Sequence, residues 1–445
     1  MARRLVSIDR ETPLLMPPSI QEWVAWDDMA RFILESLEAV AEGSCHYNWR
    51  GSGSEQYPPH MMLALLIYCY SHGIFTSRRI ERATYRDVAV RYITGDHHPD
   101  HDTIARFRRE NGALFKTCFV AVLELAREMK VKRIGDVALD GSKLEANASM
   151  KRVMTFKDLQ QRSLELEVRV AELIDKAEAS DREDVGTPDG SRMPEALAAA
   201  IDRRDEMRRA MEALKQKTRL AAERREQERA DFDHGGPGEP PRALTAEPME
   251  RTALNLTDPD ARLLPQKKGG YAPSYNVQLA VQADSPAPLI LACGVCDAGN
   301  DRRQLAPMVD ELMVLHADTT RVLVDAGYDN SSQIHQVESH HRVIIYCPPE
   351  ERAHDKQAPR TSASRQRTIN YRQGMRACLG SAYGQASQRL RATTVEPVFG
   401  WIKHTLGFKR FHLRGLTRVK LEWDLVCLCF NLQLLHRWKR RAAMG

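Results

Sequence analysis

A chain of 445 residues, 42% of them hydrophobic, can bury more than one core, and about two or three domains are expected. Nine cysteines without an even framework, the absence of a signal-peptide-like segment, and no apolar run long enough to span a bilayer exclude a disulfide-stapled secreted scaffold and an integral membrane protein, and point to a reducing cytoplasm. The net charge of +5 is unevenly placed, with ten Lys/Arg against two acids over residues 401–445, interleaved with Leu425, Leu428, Leu432 and Leu435, which fits a polyanionic partner better than a solvated tail.

Along the chain, residues 14–127 read as short helices: Ser19 to Ala41, Pro59 to Ser71, Ser77 to Ala83, Asp87 to Ile93 and Asp102 to Met129, punctuated by Gly73 and Gly95. The last of these opens on a capping acid, Asp102, then sets Ile104 and Phe107 on the buried face while Arg106, Arg108 and Arg109 point elsewhere. Such a helix can contact phosphates or enter a major groove, and an ordinary surface helix explains the same arginines. The run His97-His98-Pro99-Asp100-His101-Asp102 has the composition of a metal site, but no helical or strand spacing converges its side chains, so a polar helix start is the better reading.

Between 157 and 231 the composition turns to Glu, Lys, Arg, Ala and Leu. Leu159, Leu166, Val170 and Leu173 form one apolar stripe and Ile201, Met207, Met211 and Leu214 another, split by an Asp/Gly/Pro-rich gap at 181–194. A helical hairpin is expected, a coiled-coil-like arm ended by a flexible linker at 234–242. Asp258, Asp260 and Arg262 follow, read either as DNA-orienting residues or as a capped turn.

Residues 134–140, 275–281, 289–295, 320–325 and 343–346 read as strands, the second and third paired around a turn at Asp284-Ser285-Pro286. Helices are expected at 304–316, 331–340, around Glu396 and over 418–438. The order gives antiparallel strands followed by parallel ones flanked by helices, an α/β domain. Cys293-x-x-Cys296 lies in an apolar strand without a second pair, so buried small side chains explain it better than zinc. Asn300 and Asp301 read either as a turn after the hairpin or as functional residues, the turn being the better reading.

Asp140 ends one apolar run and Asp325 another, while Glu396 and Lys403 lie two turns apart on one helix face, Glu396 in a first turn ahead of Pro397. Displacement at a phosphodiester needs charge neutralised on the attacking and leaving oxygens, which two Mg²⁺ ions held by a few carboxylates supply. Three acids in this setting suit that chemistry, with Lys403 as a phosphate contact. Each acid alone is equally explained as a turn former or a helix-terminal charge.

Leu139-Asp140-Gly141-Ser142-Lys143, Thr257-Asp258-Pro259-Asp260-Ala261-Arg262, Gly299-Asn300-Asp301, Asp325-Ala326-Gly327-Tyr328 and Val395-Glu396-Pro397-Val398-Phe399-Gly400 resemble the DDE transposases of bacterial insertion sequences. The resemblance extends through Pro58-Pro59 and Asp102-Thr103-Ile104-Ala105-Arg106-Phe107-Arg108 to the closing Gly407-Phe408-Lys409-Arg410-Phe411 and Leu413-Arg414-Gly415. It implies an α/β fold with an RNase H-like mixed sheet flanked by helices, an N-terminal all-α domain and a helical coiled-coil-like insertion. The domains implied are 1–130 (DNA-binding), 131–156 and 246–445 (catalytic, with basic C-terminal helices) and 157–245 (arm and linker). Asp140, Asp325 and Glu396 are implied as the catalytic, metal-binding triad for Mg²⁺, with Mn²⁺ as a substitute. Lys403, Arg106, Arg108, Arg109, Lys409, Arg410 and Arg414 are the expected DNA contacts. The partners implied are double-stranded DNA, as terminal inverted repeats and as target, and further copies of the chain in a homo-oligomer, in a bacterial cytoplasm beside the nucleoid. Related transposases carry a tyrosine and an arginine at fixed offsets before the glutamate; here those offsets hold Arg389 and Ala392, with Arg391 the nearest substitute and Tyr383 too far upstream. The rival readings are a catalytically inactive, transposase-derived DNA-binding protein and an RNase H-like nuclease without strand transfer.

Overall fold

The computed structural model describes residues 19–38, 56–131, 135–183, 195–232, 236–237, 240–266, 269–283, 285, 287–350 and 363–444. Residues 39–41 of the first expected helix, most of the 181–194 gap, parts of the linker, and Asp284 and Pro286 of the expected hairpin turn lie outside them. The chain divides into two compact units, Met1–Glu128 with Leu428–Gly445, and Met129–Cys427.

The first unit carries α1 (Met29–Leu37), α2 (Pro59–Ser71), α3 (Ser77–Arg86), α4 (Val88–Thr94), α5 (His101–Glu110) and α6 (Gly112–Glu128). Helix α2 is apolar all round and buried from Met62 to Ser71, which makes it the central helix of this unit. Aspartates start three of the others: Asp28 accepts from the Ala30 N–H at 2.7 Å, Asp87 from Val90 at 3.0 Å and Asp100 from Thr103 at 2.7 Å. The expected helix Asp102–Met129 is thus corrected twice. Its cap is Asp100, and it breaks at Asn111, whose buried side chain turns back to the Phe107 carbonyl at 3.2 Å just before Gly112. The histidines beside the cap diverge, His97 to the Thr94 and Gly95 carbonyls, His98 to Thr84 Oγ1 and His101 to Glu81.

The second unit is mixed α/β. Its sheet is built from β1 (Asp136–Glu145), β4 (Arg262–Pro265), β5 (Tyr271–Gln282), β6 (Ile290–Cys296), β7 (Arg321–Leu323) and β8 (Ile344–Tyr346), with β2 (Val153–Thr155) and β3 (Ala253–Asn255) forming a separate antiparallel pair. The strands run β6-β5-β1-β7-β8, β4 pairing with the first part of β5; β5 is antiparallel to β1, and β7 and β8 are parallel to it. The short strands β2, β3 and β4 are not among the strands expected from the sequence. Helices α9 (Leu305–Leu315), α10 (Ser331–His341), α11 (Ala363–Gly380) and α12 (Ala382–Gly400) follow, and α13 (Leu416–Met444) ends the chain.

Between β2 and β3 the chain runs out along α7 (Phe156–Glu183) and back along α8 (Glu195–Ala230). The two apolar stripes face one another: Phe156, Leu159, Met207, Ala210 and Leu214 bury together with Leu254 at the base, and Val170, Leu197 and Ala200 further out. Burial of each large side chain there stabilises the hairpin by about 1.5–3 kcal/mol. Lys217 ties α8 to the sheet, reaching Asp297 at 3.1 Å.

Candidate active site

The register of the sheet positions two of the acids. Ala138 on β1 lies opposite Leu323 on the parallel β7; two residues further on, with side chains alternating faces, Asp140 and Asp325 come to the same height and the same side. Asp136 fixes that register from the other end, since it faces Arg321 across the ladder and pairs with it. The expectation that Asp140 ends its strand is corrected: β1 continues to Glu145 because β5 supplies partners as far as Ser274. Asp325 lies just past β7, where its carboxylate also accepts the Gly327 N–H at 2.9 Å and starts a short turn, Ala326–Tyr328.

Burial and the neighbouring Asp325 push the Asp140 carboxyl up to about 6, against the pull of Arg391 and of the Gly141 N–H, with Asp301 pushing further upward. Asp325 is raised too, first by burial, then by Asp301 and Glu396, against the Gly327 N–H and Arg391. Burial and neighbouring acids oppose the ionisation of both carboxylates, and a cation would relieve that charge.

Helix α12 brings in the third acid. Tyr383 near its start donates to Asp136 Oδ2 at 3.3 Å and lies under the Arg321 guanidinium, while Thr394, Val395, Val398 and Phe399 are buried. Glu396 therefore sits in the closing turns of a helix, not in a first turn. Pro397 is tolerated in the interior because it and Thr393, whose carbonyl loses its helical donor, both lie on the exposed face. Arg391 stands between the acids, its Nη1 at 3.3 Å from Asp140 and its Nη2 at 3.7 Å from Glu396. After Gly400 the helix widens into a π turn, Trp401–Thr405, and Lys403 Nζ donates to Ser142 Oγ at 2.5 Å and to the Lys143 carbonyl at 2.9 Å, just past Asp140 on β1.

Asp301 is the residue that sequence reading took for a simple turn. One of its oxygens accepts from Asn276 Nδ2 at 2.8 Å and Gln278 Nε2 at 2.6 Å, both on β5 and both buried, and Tyr328 donates to Gln278 Oε1. A Cβ at Gly141 would come 2.4 Å from Asp301 Oδ1, and one at Gly327 would come 2.9 Å from Asp325 Oδ1 and 3.6 Å from Asp301 Oδ2. The two glycines thus let the Asp301 and Asp325 carboxylates lie close against the backbone. The signal available in the sequence was the pair of amides at alternate positions of an otherwise apolar strand, Tyr275-Asn276-Val277-Gln278-Leu279.

Mg²⁺ is satisfied by one or two carboxylates together with waters and phosphate oxygens. Asp140 and Asp325 meet that donor requirement. Among the described residues no three acidic, imidazole or thiol side chains are close enough together to hold one ion as they stand, and Arg391 occupies the ground between Asp140 and Glu396.

The expected DNA contacts divide. Arg106 and Arg109 are exposed on α5, whereas Arg108 is corrected: it is buried, its Nη1 donating to the Tyr70 hydroxyl and the Phe75 carbonyl, both at 2.8 Å, so it holds the helices together. Lys409 is exposed; Arg410 pairs with Glu145 at 2.5 Å and Arg414 donates to the Asn147 carbonyl at 3.0 Å. Phe107 is only half-buried. Asp258 and Asp260 bind the start of α13, accepting from Gly415 at 3.2 Å and Leu416 at 2.8 Å, and Arg262 lies 3.5 Å from Asp297. No helix among the described residues is long and apolar enough to cross a membrane.

Two families match the chain. A transposase DDE domain matches residues 333–436, which include Arg391, Glu396 and Lys403, and a transposase domain (DUF772) matches residues 19–110, from the turn before α1 to the end of α5. No curated protein and no solved structure matches. The chain thus matches two transposase domains in this order, and its sheet and closing helices carry the motifs by which it resembles the DDE transposases of insertion sequences.

Proposed function

We propose that this transposase cleaves DNA at the ends of its element and joins them to target DNA, using Asp140, Asp325 and Glu396 on an RNase H-like sheet with Mg²⁺. The observation that carries this is the parallel register of β1 and β7, which sets Asp140 and Asp325 side by side while Arg391 links Glu396 to them. The strand order β6-β5-β1-β7-β8, antiparallel then parallel, supports the fold.

A bound divalent cation would neutralise charge on the attacking and leaving oxygens. Asp140 and Asp325 would hold it, with Asp301 as a third negative charge nearby. Glu396, exposed and reached from Asp140 only through Arg391, would join once substrate phosphate draws the guanidinium away. Lys403, poised at Ser142, would contact the strand beside the scissile bond. Water attack breaks the P–O3′ bond and leaves a 3′-hydroxyl; that hydroxyl attacks a target phosphodiester, forms a new P–O bond and releases the target's own 3′-oxygen as a hydroxyl. No protein–DNA covalent bond forms.

The test is cleavage of element-end duplexes by the purified protein with Mg²⁺. Asp140→Ala and Asp325→Ala should each abolish it, and retained cleavage in either would refute the assignment. Joined products distinguish transposition from simple nuclease action, which leaves only free ends. An inactive DNA-binding descendant would instead show no cleavage and no thermal stabilisation by Mg²⁺, where a site at one hundred times its Kd gains about 2.7 kcal/mol.

A further inference from the structure

Helix α3 in the first unit has a face that the acid site does not explain. Successive residues are about 100° apart on a helix, so Tyr85, Arg78, Arg82, Arg86 and Arg79 fall within an arc of about 120°. All five are exposed, and none of the four arginines has an ion-pair partner among the described residues. The opposite side, Ile80, Ala83 and Thr84, is buried. The one acid of the helix, Glu81, is turned toward α5, where His101 Nδ1 lies 2.9 Å from its carboxylate. Tyr85 is stacked on His98 with ring centroids 3.9 Å apart, an exposed aromatic already held in place beside the arginines.

Four unpaired guanidinium groups on one face repel each other and gain only from a partner with several negative charges. Arg78, Arg82 and Arg86 span about 12 Å of helix axis. Over that length a DNA strand carries about three or four phosphates. By contrast α5 offers Arg106 and Arg109 among the exposed Asp102 and Glu110, with Arg108 withdrawn into the interior. We infer that α3, rather than α5, is the principal phosphate-contacting helix of the first unit, with Arg78, Arg79, Arg82 and Arg86 gripping the backbone of duplex DNA. The inference rests on the transposase reading only for the choice of polyanion.

The experiment measures fluorescence anisotropy of a labelled random-sequence duplex with the full chain, in EDTA, across a series of salt concentrations. EDTA removes cleavage from the measurement, so a failure of the acid-site assignment leaves the result intact. Each phosphate contact contributes about 0.9 to the slope of log K against log salt. Arg82→Gln with Arg86→Gln should lower the slope by about 1.8 and weaken binding at least tenfold, and Arg106→Gln with Arg109→Gln should lower it less. Arg82→Lys with Arg86→Lys keeps the charge and should retain most of the slope. An unchanged slope in the glutamine pair, a larger loss from the α5 pair, or a lysine pair as weak as the glutamine pair would each overturn the inference; unchanged thermal unfolding of all variants confirms that folded protein is compared.

Discussion

Arg391 answers two carboxylates with one guanidinium. It and Asp140 are both largely buried, 12% and 16% exposed, whereas Glu396 is 61% exposed, so the tie to Asp140 is the energetically significant one. Arg391→Gln leaves an acid cluster without its counter-charge, and unfolding in urea with EDTA should show a loss of about 1–3 kcal/mol. Added Mg²⁺ should recover part of that loss if the acids are a cation seat. Asp301 makes a separable prediction. Asp301→Ala deprives two buried amides of their acceptor and should cost about 1–3 kcal/mol, while Asp301→Asn keeps an acceptor oxygen and should cost less. Equal losses in the two variants would mean that the carboxylate's charge, not its hydrogen bonding, holds Asn276 and Gln278. Asp301 is plain in the sequence as a residue; what hid its role was that its partners, Asn276 and Gln278, lie on β5.

At the scale of the element, the caps and the break in the N-terminal helices follow from local chemistry. Asp100 is held below the usual carboxylate range, chiefly by the Thr103 N–H it accepts. A depressed folded pKa means that the cap's contribution is present above the unfolded value of about 3.9 and is lost as the pH falls through the folded one. Asp100→Ala should therefore cost about 1 kcal/mol near neutral pH, with wild type and variant converging in acid, as seen in urea titrations at a series of pH values. Helix α12 shows the limit of such reasoning. Pro397 reads locally as a first-turn residue, yet the buried positions Thr394, Val395, Val398 and Phe399 pack the helix down on both sides of it. The burial outweighs a preference that the sequence states clearly.

For the whole molecule, the arm is inserted where the chain already closes on itself. Thr155 and Ala253 are directly opposed across β2 and β3, so replacing 156–252 with an Asn-Gly turn leaves a two-residue hairpin. That variant should unfold cooperatively and scatter light as one species; loss of cooperativity would show that the core around Leu254 and the Lys217–Asp297 tie are indispensable to the sheet. The sequence by itself determined the alternation of helix and strand, the two facing stripes of the arm and the resemblance to transposases, because periodicity and motif spacing are properties of contiguous residues. Tertiary structure alone decided that Arg108 is an internal brace, that Asp301 is bound by Asn276 and Gln278, that Arg391 joins Asp140 to Glu396, and that α3 is left with unpaired arginines. Each of those outcomes depends on which side chains from distant segments meet, and strand register and helix docking, set by burial over the whole unit, fix that.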